Sequence, residues 1–179
     1  MQIVLLRGIN LGARNRIAMP ALRDALADAG FDGVQTYLQS GNVVLSSRRS
    51  PDRVARECER QITDRFGLAI QVVLRTRDEL AEVVRRNPLG EVAVNPKRYQ
   101  VSFLTAEPDP DALSKLAAAA VEPEQFVVHG REIYAWHPES IARSSLWTLL
   151  AGPKLGVTAT ARNWTTVTKL LALAAERQS

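Results

Sequence analysis

The sequence predicts an α+β protein built of two halves, each with the element order strand, helix, strand, strand, helix, strand. Short apolar runs alternate with helical repeats along the chain, which gives this order. Turn residues join neighbouring strands, as the hairpins of an antiparallel sheet require. A loop rich in Asn, Pro and Gly at residues 87–97 separates the two runs of elements. We therefore predict two domains, 1–90 with a connector helix and 91–179 with a terminal helix.

The first half begins with an apolar strand at residues 2–6, whose unbroken apolar character is typical of a strand buried on both faces. A helix follows, with Pro20 in its first turn and Gly30 after its end. The remaining predicted elements are strands at 34–39 and 43–45 around the turn Ser40–Asn42, a helix from Pro51 to Phe66 capped by Ser50, a strand at 69–74, and a helix at 77–86 capped by Thr76. This is the split β-α-β order of a ferredoxin-like unit.

The second half repeats this order without convincing residue-level identity. Its predicted elements are a strand at 99–104, a helix from Pro110 capped by Asp109, a hairpin turning at Gly130 and Arg131, a helix from about Pro138, a strand at 156–161, and a last helix capped by Asn163. The predicted fold class is therefore α+β, with two ferredoxin-like (split β-α-β) halves, antiparallel sheets and extra helices.

Composition excludes several classes of protein. No apolar run approaches the roughly 18–20 residues that span a bilayer, and residues 2–6 are too short for the core of a signal peptide. We therefore expect a cytoplasmic protein with no membrane partner. One cysteine, Cys58, and two histidines, His129 and His137, allow no intramolecular disulfide and no cysteine-based zinc cluster. We expect no metal and no other cofactor.

The net charge of +4 comes from the first half of the chain. Residues 1–90 contain 14 basic and 10 acidic side chains, and none of the basic ones is lysine, whereas residues 91–179 contain 9 of each. This surplus of arginine is compatible with an anionic partner, because guanidinium groups bind phosphate and carboxylate through two parallel hydrogen bonds.

The loop after the first strand is the main candidate for a binding site. In a split β-α-β unit the first two strands run parallel with the third between them, so the end of the first strand and the hairpin after the second share one edge of the sheet. The residues expected at this edge are Arg7, Gly8, Asn10, Gly12, Arg14 and Arg16 from the loop, and Gln39, Ser40, Gly41 and Asn42 from the hairpin.

Two interpretations of this edge are open. Glycine lets the backbone approach a ligand, a helix N-terminus favours anions, and arginine binds phosphate or carboxylate. Alternatively, the segment is a solvated loop whose arginines cover the backbone or pair with acidic side chains. It is neither a Walker loop nor a G-x-G-x-x-G motif, because Gly8 and Gly12 have the wrong spacing and no Gly-Lys-Ser/Thr follows.

Arg162 and Asn163 form a comparable feature before the last helix, where an anion could bind at the helix N-terminus. We prefer the alternative, in which Asn163 caps the helix and Trp164 anchors it to the core. Elsewhere, Cys58 lies on the apolar stripe of its helix and is expected to be a buried, inert thiol. Ser144 and Ser145 are expected inside a helix, without the context of a catalytic serine.

Three segments resemble a bacterial family of unknown function, DUF1697. They are residues 6–10 (LRGIN), 36–44 (TYLQSGNVV) and 160–170 (TARNWTTVTKL). The resemblance implies two ferredoxin-like halves and transfers no catalytic residue, since the family has no established activity. Where the family pattern has a second glycine and a lysine, this chain has Ala13-Arg14-Asn15-Arg16, which keeps the positive charge without lysine.

These observations favour a binding module for an anionic ligand, either a nucleotide-like metabolite or a nucleic-acid backbone. One alternative is an enzyme acting on a phosphorylated or carboxylated metabolite, for which no acid–base group is singled out. The other is a homo-oligomeric scaffold that pairs through exposed sheet edges.

Overall fold

The structure, a computed structural model, describes residues 1–151 and 155–176. The first set of elements comprises β1 (Gln2–Leu6), α1 (Met19–Asp28), β2 (Asp32–Tyr37), β3 (Asn42–Ser46), α2 (Pro51–Phe66), β4 (Val72–Thr76) and α3 (Arg77–Arg86). The second set comprises β5 (Tyr99–Leu104), α4 (Pro110–Ala119), β6 (Gln125–His129), β7 (Glu132–Trp136), a 3₁₀ turn (Ile141–Arg143), α5 (Ser145–Ala151), β8 (Ala159–Asn163) and α6 (Trp164–Ala175).

Two four-stranded sheets have the same topology. The strand order is β2-β3-β1-β4 in the first and β6-β7-β5-β8 in the second, and every neighbouring pair is antiparallel. In each sheet the third strand lies between the first two, which run parallel to each other. The predicted fold class, α+β with two ferredoxin-like halves, is confirmed.

The chain separates into two compact units. One unit contains Met1–Ala81 together with the segment from Leu170 onward, and the other contains Glu82–Lys169. The division therefore falls inside α3 and inside α6 rather than in a loop.

The core of the first unit lies between one face of its sheet and the helices α1 and α2. Alternate strand residues such as Val4 and Leu6 are at most 1% exposed and belong to one apolar cluster with Leu22 of α1 and Ile62 of α2. The spacing of Val54, Cys58, Ile62 and Phe66, four residues apart, predicts one apolar stripe on α2. The first three are buried, and Phe66 is half-buried against the same core. β1 is buried along its whole length, as its unbroken apolar run predicts.

Several sequence predictions at element ends are wrong. Ser50 precedes α2, but its side chain makes no capping hydrogen bond. The helix expected from Pro138 begins at Ser145, because Ser140 is extended (φ −161°) and a 3₁₀ turn follows it. Ser144 therefore lies before α5, and its Oγ accepts a hydrogen bond of 2.8 Å from the Trp147 N–H. The strands expected at 69–74 and 156–161 begin instead at Val72 and Ala159.

The two sheets also share a residue-level correspondence that is not evident from the sequence. Arg75 and Arg162 are each the fourth of five residues in the last strand of their sheet. Both are buried, and both donate a 2.8 Å hydrogen bond to the carbonyl of the preceding residue. The next residue, Thr76 or Asn163, caps the following helix by accepting from the N–H three positions later. The halves thus repeat a strand–arginine–cap–helix junction.

Candidate functional site

Residues 7–18 form a closed loop after β1, and Asn10 holds it together. The Asn10 Oδ1 accepts a hydrogen bond of 2.9 Å from the Ile17 N–H, and its Nδ2 donates to the Ile17 carbonyl at 3.0 Å. The Asn10 N–H also donates to the Asn15 carbonyl at 3.0 Å. These hydrogen bonds join the two ends of the segment from Asn10 to Ile17. Arg14 and Arg16 lie within this closed segment.

The loop is fastened to the turn between β2 and β3. The Asn10 Nδ2 also donates to the Gln39 carbonyl at 2.7 Å, and the Leu6 N–H donates to the Gly41 carbonyl at 2.8 Å. A Cβ atom at Gly41 would lie 2.7 Å from both the Leu6 Cβ and the Ile9 Cδ1, so only glycine fits at this approach. The loop and the turn therefore lie side by side, as the topology predicts.

The turn differs in detail from the prediction. It occupies residues 38–41, because β2 ends at Tyr37 and Asn42 already belongs to β3. Asn42 is buried, and its Nδ2 donates to the Tyr37 carbonyl at 2.8 Å and to the Ser40 Oγ at 3.0 Å. Ser40 and Asn42 thus shape the turn, while the Gln39 side chain is exposed.

Backbone conformations that L-residues rarely adopt are concentrated at this edge. Positive φ angles occur at Gly8 (66°), Asn10 (53°), Gly12 (63°), Asn15 (50°), Leu38 (56°) and Gly41 (75°). Asparagine and glycine adopt this region readily, but a leucine there is uncommon and strained. Residues held in such conformations cluster at binding sites, where the surrounding structure fixes them.

The three loop arginines differ in their surroundings. Arg7 is half-buried, and its Nη1 donates to the Gln71 Oε1 at 3.0 Å. Arg14 and Arg16 are exposed, and the Arg16 Nε donates to the Gly12 carbonyl at 3.3 Å. None of the three forms an ion pair with a carboxylate of the described segments. The charges of Arg14 and Arg16 therefore face solvent.

Helix α1 begins immediately after this loop. Its N-cap residue is Ala18, whose methyl side chain cannot accept a hydrogen bond, and its first turn contains no acidic residue. The first N–H groups of a helix have no partner within the helix and carry a partial positive charge. Because Pro20 has no N–H and the Leu22 N–H donates to the Ala18 carbonyl, these groups in α1 are those of Met19 and Ala21. An anion at this helix end would therefore be stabilised by the same edge that carries the arginines.

Sequence reasoning missed two apolar residues at the edge. Leu11 follows Asn10 and is 71% exposed, and Leu38 precedes Gln39 and is 54% exposed. Each is therefore the sequence neighbour of one of the two residues whose hydrogen bond joins the loop to the turn. The signal was present in the sequence, since each is a single leucine between polar or turn-forming residues, but exposure cannot be deduced from such a pattern. Gln71, the partner of Arg7, gave no signal.

The second predicted anion site is built differently. Arg162 is buried, and desolvation lowers its pKa to about 10. Its Nη1 donates to the Thr160 Oγ1 and to the Ala161 carbonyl, both at 2.8 Å. Asn163 caps α6 through the Thr166 N–H at 2.9 Å. These contacts account for both residues as parts of the strand–helix junction, and anion binding there stays a prediction.

The remaining titratable candidates are separate from one another. His129 lies at the end of β6, where it is exposed and contacts Arg86, while His137 is buried beyond β7, with its Nδ1 2.9 Å from the Glu124 Oε1. Cys58 is fully buried, and desolvation raises the pKa of its thiol to about 12. Across residues 1–151 and 155–176, no group of three or more His, Cys, Asp or Glu side chains could hold a metal ion.

In the same ranges, no helix has the length and apolar character needed to cross a membrane.

The fold and this edge define a class of protein: two ferredoxin-like units, the first with an arginine-bearing loop fastened to its central hairpin. The chain belongs to the DUF1697 family of proteins of unknown function, whose family model matches residues 1–134. The structure is similar to that of the conserved bacterial protein SP0830 from Streptococcus pneumoniae. The two share 22% sequence identity with a TM-score of 0.77, and the match covers 97% of each chain. At this identity the likeness concerns the fold alone. No curated protein matches the sequence.

Proposed function

We propose that the first unit binds a small anionic ligand with an apolar or aromatic portion, a nucleotide being the chemical class, at the edge formed by residues 7–18 and 38–41. The observation that carries this proposal is the hydrogen bond from the Asn10 Nδ2 to the Gln39 carbonyl. It holds the loop, whose arginines form no ion pair with the described carboxylates, against the turn. Each of the two residues that it joins has an exposed leucine next to it in the sequence, Leu11 beside Asn10 and Leu38 beside Gln39.

The anionic portion would bind to Arg14, Arg16 and the N-terminus of α1. Both guanidinium groups are exposed, and arginine binds a phosphate with two parallel hydrogen bonds. The free N–H groups of the helix add a partial positive charge. Two arginines and one helix end are sufficient for one or two phosphates, which supports a small molecule rather than a long polyanion at this edge.

The apolar portion would bind to Leu11 and Leu38. Covering apolar surface is favourable by about 25 cal/mol per Å². A base or another flat apolar group over these leucines would therefore add affinity that inorganic phosphate cannot obtain. Because the loop is already closed by Asn10 and the turn by Asn42, little ordering is needed on binding, which also favours affinity.

The test is calorimetric titration of the full chain with the ribonucleoside diphosphates and with pyrophosphate. We expect at least one nucleotide to bind more tightly than pyrophosphate. The variant Arg14→Ala/Arg16→Ala should bind neither, whereas Leu11→Ala/Leu38→Ala should lose the preference for the nucleotide and keep pyrophosphate. Arg85→Ala, which removes one exposed charge from α3, is the control. Equal binding by the wild type and Arg14→Ala/Arg16→Ala would refute the proposal.

A further inference from the structure

The outward face of α2 carries a second arginine cluster, which neither the sequence patterns nor the proposed function accounts for. Arg53, Arg56 and Arg60 project from the helix, and Arg49 precedes it. Together with Glu57 they line an open groove of about 370 Å³. Four arginines and one glutamate give this lining a net charge of +3.

The spacing places the three helical arginines on one side of α2. At 100° per residue, Arg53 and Arg60 have almost the same direction around the helix axis, and Arg56 lies within about 60° of them. With a rise of 1.5 Å per residue, the row from Arg53 to Arg60 is about 10 Å long. Measured along the axis of a duplex, that length covers about three phosphates of one strand, at about 3.4 Å of axis per phosphate.

The charges of the row are not all neutralised within the protein. Arg60 is paired with Glu57 at 2.6 Å and with Asp64 at 2.9 Å, and the hydrogen bond from Arg60 lowers the pKa of Glu57. Arg53 and Arg56 are exposed and form no ion pair with any carboxylate in the described part of the chain. The part of the row formed by Arg53 and Arg56 is therefore available to an external anion.

The flank of the row is held in place. The Arg49 guanidinium lies 5.3 Å from the centroid of the Phe31 ring, a cation–π geometry. The Gln2 Nε2 donates to the carbonyls of Ser47 at 3.3 Å and of Arg49 at 2.9 Å, which fixes the backbone that leads into α2. The cluster is thus presented on a helix and an anchored loop, so its backbone needs little ordering on binding.

We propose that this face of α2 binds the phosphate backbone of duplex nucleic acid without reading its sequence. A row of charges about 10 Å long, of which Arg53 and Arg56 form no ion pair with a carboxylate of the described residues, fits a polyanion better than a single anion. A membrane-binding face carries exposed apolar residues beside its charges, and residues 48–60, all of which are described, contain no exposed large apolar side chain. Single-strand binders add aromatic side chains on which bases stack. Residues 48–60, all described, contain no aromatic side chain, and Phe31, which lies under the Arg49 guanidinium, is 3% exposed.

The test measures binding of the full chain to a labelled 20-base-pair duplex by fluorescence anisotropy between 25 and 200 mM salt. Contact with two to four phosphates predicts a slope of log K against log salt of about −2 to −4. Arg53→Ala/Arg56→Ala should make the slope shallower by about 1.8 and weaken binding about a hundredfold at 50 mM salt. Alanine is the best helix former, so α2 should remain intact in this variant, which circular dichroism checks.

The matched control is Arg23→Ala/Arg85→Ala, which removes two exposed arginines from α1 and α3 and changes the net charge equally. It should keep the wild-type slope. The proposal is overturned if the duplex does not bind at 25 mM salt, or if both double variants lose slope equally. It is also overturned if vesicles with anionic lipids, or pyrophosphate at stoichiometric concentration, displace the duplex from the wild type. Loss of nucleotide binding in Arg14→Ala/Arg16→Ala bears on the loop alone, so the two proposals fail independently.

Discussion

The Asn10 side chain forms hydrogen bonds to Ile17 within its own loop and to Gln39 in the turn between β2 and β3. One amide thus fixes both the shape of the loop and its position against the sheet. We therefore predict that Asn10→Ala destabilises the first unit by about 2–3 kcal/mol, since three hydrogen bonds of about 1 kcal/mol each are lost. Urea unfolding measures this value.

Asn15→Ala is the matched control for that variant. Asn15 lies in the same loop, has a similar φ of 50°, and its Nδ2 makes one hydrogen bond, to the Gly8 carbonyl at 3.1 Å. Asn15→Ala removes one side-chain hydrogen bond where Asn10→Ala removes three, so the hydrogen-bond loss should be about 1 kcal/mol. Both variants place alanine at nearly the same positive φ, so the difference between them isolates the hydrogen bonds. If Asn15→Ala costs as much as Asn10→Ala, the special role of Asn10 is wrong.

Gly41→Ala should lower the free energy of unfolding more than a glycine-to-alanine substitution that only places alanine at a positive φ. The added Cβ would lie 2.7 Å from Leu6 and Ile9, and the alanine would also adopt a φ of 75°. Gly30→Ala is the control, because its φ is 82° and nothing lies within 4 Å of the new Cβ. We expect about 1–2 kcal/mol at Gly30 and a further 1–3 kcal/mol at Gly41. Equal costs in denaturant titrations would show that the loop and the turn are not in close contact.

The repeated junction predicts similar losses in the two halves. Thr76→Ala and Asn163→Ala each remove a cap that accepts from the N–H three residues later, so each should cost about 0.5–2 kcal/mol. Ser50→Ala should change the free energy of unfolding by less than about 0.5 kcal/mol, because the Ser50 side chain makes no capping bond. A loss at Ser50 as large as that at Thr76 would contradict this assignment.

Cys58 predicts a specific loss of stability at high pH. Burial raises the pKa of its thiol from 9.0 to about 12, so the folded state keeps the proton that the unfolded state releases above pH 9. The stabilisation is fully present below pH 9 and is lost as the pH rises toward 12, at about 1.4 kcal/mol per pH unit. Unfolding of the wild type and of Cys58→Ala, compared between pH 9 and 11, isolates this contribution from other groups. Parallel pH profiles would mean that the thiol is not shielded from water in the folded state.

The sequence predicted where the candidate site lies, but not which of its residues hold the backbone and which remain available to a ligand. Strand order alone brought residues 7–16 and 39–42 to one edge, because parallel first and second strands leave no other arrangement. The amides of Asn10 and Asn42 were grouped with the arginines as ligand-binding groups, whereas the structure uses both to hold the backbone. Such roles depend on where carbonyl groups lie after folding, and Gln71, which contacts Arg7, is 64 residues away in sequence.

The arginine cluster on α2 could not be predicted from the sequence for a related reason. Its arginines follow a helical spacing that any charged surface helix shows. The structure adds that Arg60 is paired with Glu57 and Asp64, whereas Arg53 and Arg56 form no ion pair within the segments that the structure describes. The correspondence of Arg75 with Arg162 was also invisible in sequence. It rests on register and hydrogen bonding, and the flanking residues of the two junctions differ.

The most direct test of the proposed function is to locate the bound ligand by NMR. Amide resonances of the uniformly ¹⁵N-labelled full chain are followed during titration with the nucleoside diphosphate that calorimetry selects. Shifts concentrated at residues 8–21 and 38–41, and absent in Arg14→Ala/Arg16→Ala, are the predicted result. Saturating binding with shifts confined to other parts of the chain, or no shift at any residue at millimolar nucleotide, would contradict the proposal.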